Sequence, residues 1–236
     1  MSVSRKRRRY REVGVVARDG LHGVALDGKA LATPGGQPLL LPQRALAEAV
    51  AAEWRAQGEQ LDAGTMPLTR LASSAIDVVA PHRAAVVERT AAYAASDLLC
   101  YRAPGPAALA GRQQAGWQPL VDWAERHYGA PLRVTAGIVA IVQPAASLAT
   151  LRGAVAAADL WRLTALAAAT AACGSLILGL ALLEGEIDAA AATALSLLDE
   201  SYQSERWGED PEAMARRAAL SAEIAAAARF LDLLAG

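Results

Sequence analysis

The sequence predicts an α+β protein, with a small β-containing N-terminal domain over residues 1–62 and a larger all-α helical domain over residues 63–236. Three observations predict it. Asp19-Gly20 and Asp27-Gly28 each sit between short apolar runs, and Asp-Gly supplies the two positive-φ residues of a tight hairpin turn. After Pro42 the apolar positions recur every three or four residues, the period of a helix. Ala, the best helix former, fills 58 of the 236 positions.

The first strands are expected around Val13–Val16 and Val24–Leu26, with Leu26 opposite Lys29 and Val24 opposite Leu31 across the second turn. Pro34-Gly35-Gly36 marks a loop, and Leu39-Leu40-Leu41 a further short strand. Leu46, Val50 and Trp54 form the apolar stripe of the first helix, which Gly58 ends. Pro67 and Pro81 each suit the first turn of a helix. Pro104-Gly105-Pro106 breaks the chain before a helix carrying Trp117, Leu120, Val121 and Ala124 up to Gly129. The β-branched stretch 132–142 reads as a strand that returns to the N-terminal sheet. A helix after Pro144, a buried helix over Leu163–Leu183, another over Ile187–Trp207 and a last one capped by Asp210-Pro211 complete the domain. Leu220, Ile224, Ala227, Leu231 and Leu234 give that last helix an apolar stripe.

Composition excludes several classes. The 23 Lys+Arg and 24 Asp+Glu leave a net charge of −1, so no global basic field points to nucleic acid as a partner. Arg5-Lys6-Arg7-Arg8-Arg9 is a local basic run, read as a solvated arm, with no apolar stretch after it to make a secretory signal. The two cysteines, Cys100 and Cys173, exclude a disulfide framework and fit a reducing compartment. Leu163–Leu183 has no charge over 21 residues, long enough to span a bilayer, yet seven of these are Ala and six are Thr, Cys, Gly or Ser. It is expected to be a buried core helix, with no stable membrane insertion.

Chemistry-bearing motifs are few. Gly23 to Lys29 satisfies the G-x-x-x-x-G-K pattern of a phosphate-binding loop, but Ala30 replaces the hydroxyl residue and the chain continues as strand, so no nucleotide site is expected. His22, His82 and His127 have no metal-ligand spacing, and no nucleophile motif occurs; no catalytic residue, metal or cofactor is assigned. The densest polar stretch is Asp199–Asp210, where Glu200, Gln203, Ser204 and Trp207 share one helical face. It suits a partner-binding face with Tyr, Trp and Arg anchors, or alternatively a small-molecule or metal-dependent enzyme using its carboxylates.

Several motifs, in order, resemble the ATP-synthase assembly chaperones that bind the F1 alpha subunit. They are Tyr10 with Val13, Leu26-Asp27-Gly28-Lys29 with Thr33-Pro34, Ala52-Glu53-Trp54 with Gln57, and Met66-Pro67-Leu68-Thr69. Further on come Asp97-Leu98-Leu99-Cys100-Tyr101-Arg102, Gln113 with Trp117, Pro119, Trp123 and Tyr128-Gly129, then Glu200, Tyr202-Gln203 and Trp207-Gly208. Tyr10 stands where an aromatic pair is commoner, and Gln118 where Asp is frequent. The resemblance implies a non-enzymatic, ATP-independent chaperone that shields the free alpha subunit until beta replaces it. It implies Glu200, Trp207, Tyr202, Arg102 and Glu205 as partner-binding residues, and Trp54, Asp97 and Trp117 as structural or functional ones. A monomer in a bacterial cytoplasm is expected, since nine residues before the match are too few for a mitochondrial transit peptide.

Overall fold

The computed structural model describes residues 7–137, 139–208 and 210–235, so Arg5, Lys6, Ile138 and Glu209 lie outside the described residues. The chain is an α+β fold that divides into two compact units. One holds the chain up to Arg83 together with its end from Arg229, and the other holds Ala84–Ala228.

In the first unit both Asp-Gly turns form. Asp19 and Gly20 (φ 52° and 77°) join β1 (Val13–Arg18) to β2 (Leu21–Leu26), and Asp27 and Gly28 (φ 47° and 76°) join β2 to β3 (Lys29–Ala30). Leu26 pairs with Lys29, and the Leu31 amide reaches the Val24 carbonyl, the register the turn dictates. The short β4 (Leu40–Leu41) pairs with the other end of β2. Gly23–Lys29 therefore lies within a hairpin and opens no helix.

Helix α1 (Arg44–Arg55) packs against β1 and β2, burying Leu46, Ala47, Val50 and Ala51. The Glu53 carboxylate accepts hydrogen bonds from the Leu68 and Thr69 amides (2.7 and 2.8 Å) and from the Thr69 hydroxyl (2.6 Å). It thereby caps α2 (Pro67–Ser74), satisfying amides that have no partner within that helix. Gln57 ties the intervening loop, donating to the Glu53 carbonyl and the Thr65 hydroxyl and accepting from the Asp62 amide. A π-helical turn, Ala75–Val79, follows α2. There Asp77 accepts from the Thr33 hydroxyl (2.6 Å) and the Gly35 amide (2.8 Å), fixing the Thr33-Pro34 loop.

The second unit is helical. It comprises α3 (Arg83–Ala91), two 3-10 turns, β5 (Tyr101–Arg102), α4 (Ala107–Tyr128), β6 (Thr135–Ala136), α5 (Ala145–Ala157), α6 (Leu160–Cys173), α7 (Leu176–Leu183), α8 (Ala189–Ser196) and α9 (Leu198–Trp207). Helix α10 (Pro211–Ala235) begins on the predicted Asp210 cap, whose carboxylate accepts from the Ala213 amide. Its stripe is rotated slightly from the expected one: Ile224, Ala226, Ala227, Phe230 and Leu233 are buried, whereas Leu220, Leu231 and Leu234 are half-buried. A spacing averaging 3.5 drifts around a helix of 3.6 residues per turn, so the sequence stripe slips off the buried face.

Three expectations change. The 21-residue apolar stretch is two helices, because Gly174 adopts φ 64° and ends α6 while Ser175 caps α7 through the Leu178 amide. Eight residues of α7 rise roughly 12 Å, far short of a bilayer, and no described helix is long and apolar enough to cross a membrane. The stretch 187–207 breaks at Leu197, whose ψ of 14° interrupts the helix between α8 and α9. The segment 132–142 does not join the N-terminal sheet: Thr135–Ala136 pairs in parallel with Tyr101–Arg102, a separate two-stranded ladder. Much of it is exposed, and Val134, Val139 and Val142 face water instead of a second sheet face.

Asp97 holds the centre of this unit and is fully buried. Its carboxylate accepts from the Leu99 amide (3.1 Å), the Ser175 hydroxyl (2.7 Å) and the Ile177 amide (3.1 Å), so it caps both its own turn and α7. Burial pushes its pKa up to about 6, the donors pulling the other way. The folded state thus holds the proton more tightly than the unfolded chain. This contribution to stability is full below about pH 4 and is lost as pH rises through about 6. Cys100 and Cys173 are buried nearby; burial first, and the Asp97 charge second, push both thiols up to about 12. Asp97→Asn places an amide NH2 against backbone donors and should cost roughly 2–3 kcal/mol at pH 7. In urea melts the gap between wild type and variant should widen from pH 7 to pH 5, since only Asp97 gains from protonation.

Candidate partner-binding surface

Helix α9 carries the polar stretch singled out in the sequence. Asp199 and Glu200 occupy its first turn and Arg206 its last, each matching the sign the helix dipole favours. Tyr202 points inward and is only 3% exposed. Its ring has the guanidinium carbons of Arg112 and Arg206 at 5.2 and 5.1 Å from its centroid, and among the described residues its hydroxyl has no hydrogen-bond partner. Arg112, from α4, also pairs with Glu205 at 2.8 Å. On the outward side Glu200 faces Arg216 of α10 at 3.8 Å, an exposed pair of little energetic weight. Trp207 stands at the end of α9 with 76% of its surface in water, an unusual position for the largest side chain.

The support beneath α9 comes from α4. Gln113 is fully buried and uses its side chain twice, donating to Asp199 at 2.6 Å and accepting from the Ala103 amide at 2.7 Å. Trp117 is also fully buried and donates to the Leu195 carbonyl at 2.9 Å. Gly116 lets this packing happen, since a Cβ there would lie 2.8 Å from Leu195.

Arg102 lies within this support. It is buried, donates to the carbonyls of Leu99 (2.8 Å) and Gln113 (2.7 Å), and has its guanidinium carbon 5.3 Å from the centre of the Trp117 ring. Burial moves its pKa down, against the pull of Asp122. Gln118 links the two: its oxygen accepts from Arg102 at 3.3 Å and its nitrogen donates to Asp122 at 2.7 Å.

The structure thus brings Glu200, Tyr202, Glu205 and Trp207 together on α9, with Arg102 and Trp117 in the layer supporting it. Asp97 sits in the core of the same unit. Trp54 belongs to the first unit, where it is half-buried, its ring 5.7 Å from that of Tyr10 and its carbonyl taking the Tyr10 hydroxyl at 2.7 Å. Arg112 and Arg216 were not picked out in the sequence, because neither lies in a motif and each meets α9 only through the fold. A second exposed apolar feature is also tertiary: Val134, Val139 and Val142 are 39%, 72% and 81% exposed. Gln143 closes the loop carrying them, accepting from the Arg133 amide and donating to the Arg133 carbonyl. The arrangement offers apolar and charged docking contacts. Among the described residues no group of three or more His, Cys, Asp or Glu could hold a metal ion, and Asp199 of the acidic stretch is committed to Gln113.

Known proteins resemble this chain closely. The family model described as ATP12 chaperone protein matches residues 7–125. The mitochondrial protein atp12 of Schizosaccharomyces pombe is 26% identical over 214 residues, 86% of this chain and 74% of that protein. Among solved structures, Atp12 from Paracoccus denitrificans is 48% identical with a TM-score of 0.91, over 96% of this chain and 97% of that one. A protein of Agrobacterium tumefaciens is 40% identical with a TM-score of 0.91, over 95% and 85% of the two chains.

Support and surface should separate on mutation. Gln113→Ala leaves a backbone amide and Asp199 without their partner and should lose roughly 2–3 kcal/mol in chemical denaturation. Trp207→Ala removes an exposed ring and should shift the thermal midpoint by no more than about 2 °C.

Proposed function

Because the chain belongs to the ATP12 chaperone family, whose members are assembly chaperones and not enzymes, we propose that it binds the free alpha subunit of the F1 sector of ATP synthase and shields it until beta takes its place. The observation that carries this reading is the exposed Trp207 on a helix whose other side is locked to α4 by Gln113, Arg112 and Trp117. A large aromatic ring in water, rimmed by charge, is the composition of a docking anchor. An unassembled subunit exposes apolar interface and aggregates unless that interface is covered. The cover has to come off again, so an interface of one aromatic anchor and rim charges suits the task better than a wide apolar one.

In this reading Glu200 makes a charge-assisted contact with the client and Trp207 fills an apolar recess on it, while Glu205, half-exposed and already paired with Arg112, adds charge at the rim. Tyr202 and Arg102 act from below, holding α9 in position. Trp54, Asp97 and Trp117 serve the fold that presents the surface. Release needs no ATP: beta displaces the chaperone because it matches alpha better. The chaperone works as a monomer. A bacterial cytoplasm is the proposed compartment, supported by the higher identity to the bacterial structures and by two cysteines kept as buried thiols.

Co-expression with the host's alpha subunit tests this. Wild type should keep alpha soluble and co-purify with it. Glu200→Lys should cut the recovered alpha by roughly tenfold while leaving the thermal midpoint of the chaperone within about 2 °C, because its ion pair with Arg216 is exposed. A joint loss of stability and rescue would make Glu200 a structural residue. Alpha that precipitates equally with and without wild type would defeat the reading altogether.

A further inference from the structure

The first unit carries a charged feature that the surface on α9 leaves unused. Arg7, Arg8, Arg9 and Arg11 fall within five residues. Burial alternates along them: Arg7, Arg9 and Arg11 are exposed, Arg8 is half-buried and Tyr10 is buried. Over Arg7–Tyr10 that is the period of an extended chain, so Arg7 and Arg9 leave it on one side, and Arg11 follows at a bend, also exposed.

The segment is pinned and is not a loose tail. The Arg8 amide donates to the Glu59 carbonyl at 2.8 Å, and its guanidinium donates to the carbonyls of Tyr10, Arg55 and Gln57. That guanidinium also lies 4.6 Å from the centre of the Tyr10 ring, and the Tyr10 hydroxyl holds the Trp54 carbonyl. Arg8 is therefore spent on holding the segment, while Arg7, Arg9 and Arg11 make no ion pair among the described residues. Beside them lies a shallow, open recess bordered by Arg7, Arg8, Tyr10 and Arg11 on one side and Gln57, Gly58 and Glu59 on the other. The acidic groups at hand are Glu12, Glu59 and Asp27; the Asp27 carboxylate accepts the Glu12 and Arg11 amides, which hold its pKa down first, with the nearby Arg11 and Arg8 charges adding to it.

We propose that the Arg7–Arg11 segment docks an acidic segment of a protein partner, with Arg7, Arg9 and Arg11 pairing with its carboxylates above the shallow recess beside them. Charge complementarity names the partner, and the pinned backbone means little ordering is lost on docking. One observation favours a peptide over a nucleic acid. Tyr10, its only aromatic residue, is buried beneath Arg8 and against Trp54, so no ring is free to stack on a nucleic-acid base. This surface is separate from α9, and the inference holds whichever protein is the client there.

The test uses the full chain and a fluorescein-labelled octaglutamate peptide, with binding followed by anisotropy over a salt series. The triple variant Arg7→Gln, Arg9→Gln, Arg11→Gln should weaken binding by roughly fivefold or more and flatten its salt dependence. A control triple at other exposed arginines, Arg70→Gln, Arg89→Gln, Arg126→Gln, changes net charge equally and should weaken binding by less than about twofold. Both triples should melt as wild type does. Equal weakening in the two would assign the effect to net charge and overturn the proposal. So would a wild type that fails to bind the peptide, or one that prefers anionic phospholipid vesicles or a single-stranded oligonucleotide of matched charge. A lowered melting midpoint in the first triple alone would overturn it too, by making those arginines structural.

Discussion

The helical unit is organised around the Asp97 carboxylate, which is out of water and answered by a hydroxyl and backbone amides from two parts of the chain. A buried charge is costly unless it is hydrogen-bonded, and here the bonds lie at the start of a very apolar helix, α7. The same contact fixes the 3-10 turn Leu98–Cys100 that leads into β5 and Arg102. Arg102 then grips the Gln113 carbonyl, Gln113 grips Asp199, and Asp199 stands beside Glu200. Helix α9 is thus held in place by a chain of polar contacts that begins at the Asp97 carboxylate and runs through Arg102 and Gln113.

That construction suits a protein that binds and lets go. An exposed tryptophan on a loose helix would collapse onto its own surface, and ordering the helix would cost affinity each time a client docked. Gln113, Trp117 and the Arg112–Glu205 pair prevent this by locking the inner side of α9, so the outer side stays presented. The motifs that mark the family fall mostly on such support. Glu53, Gln57, Asp97 and Gln113 each satisfy backbone amides that the fold would otherwise leave bare. The resemblance to other ATP12 chaperones is therefore chiefly a resemblance of scaffold, and a scaffold of this kind explains why structures 48% and 40% identical share so close a backbone.

Local features were legible in the sequence because their physics is local. Asp19-Gly20 and Asp27-Gly28 took the positive φ values the hairpins need, and the register followed from turn length. Pro67 and Pro211 opened helices, and Asp210 capped one. Where the reading changed, a distant partner was involved. Ser175 turns a 21-residue apolar run into two helices by engaging Asp97, which is 78 positions away. Segment 132–142 found its partner at Tyr101–Arg102, a pairing that β-propensity alone does not specify.

By itself the sequence determined the class of fold, the hairpins and helix starts, the absence of a global basic field, and, through its ordered motifs, the family. These depend on neighbours within a few positions or on composition, which a linear chain displays directly. Only the tertiary structure decided that Arg102 and Gln113 are buried supports, that Trp207 stands in water, that Arg112 and Arg216 border α9, and that Arg7, Arg9 and Arg11 face outward from a pinned segment. Exposure and long-range pairing are properties of the packed chain, since they depend on what covers a residue, and residues dozens of positions away supply that cover.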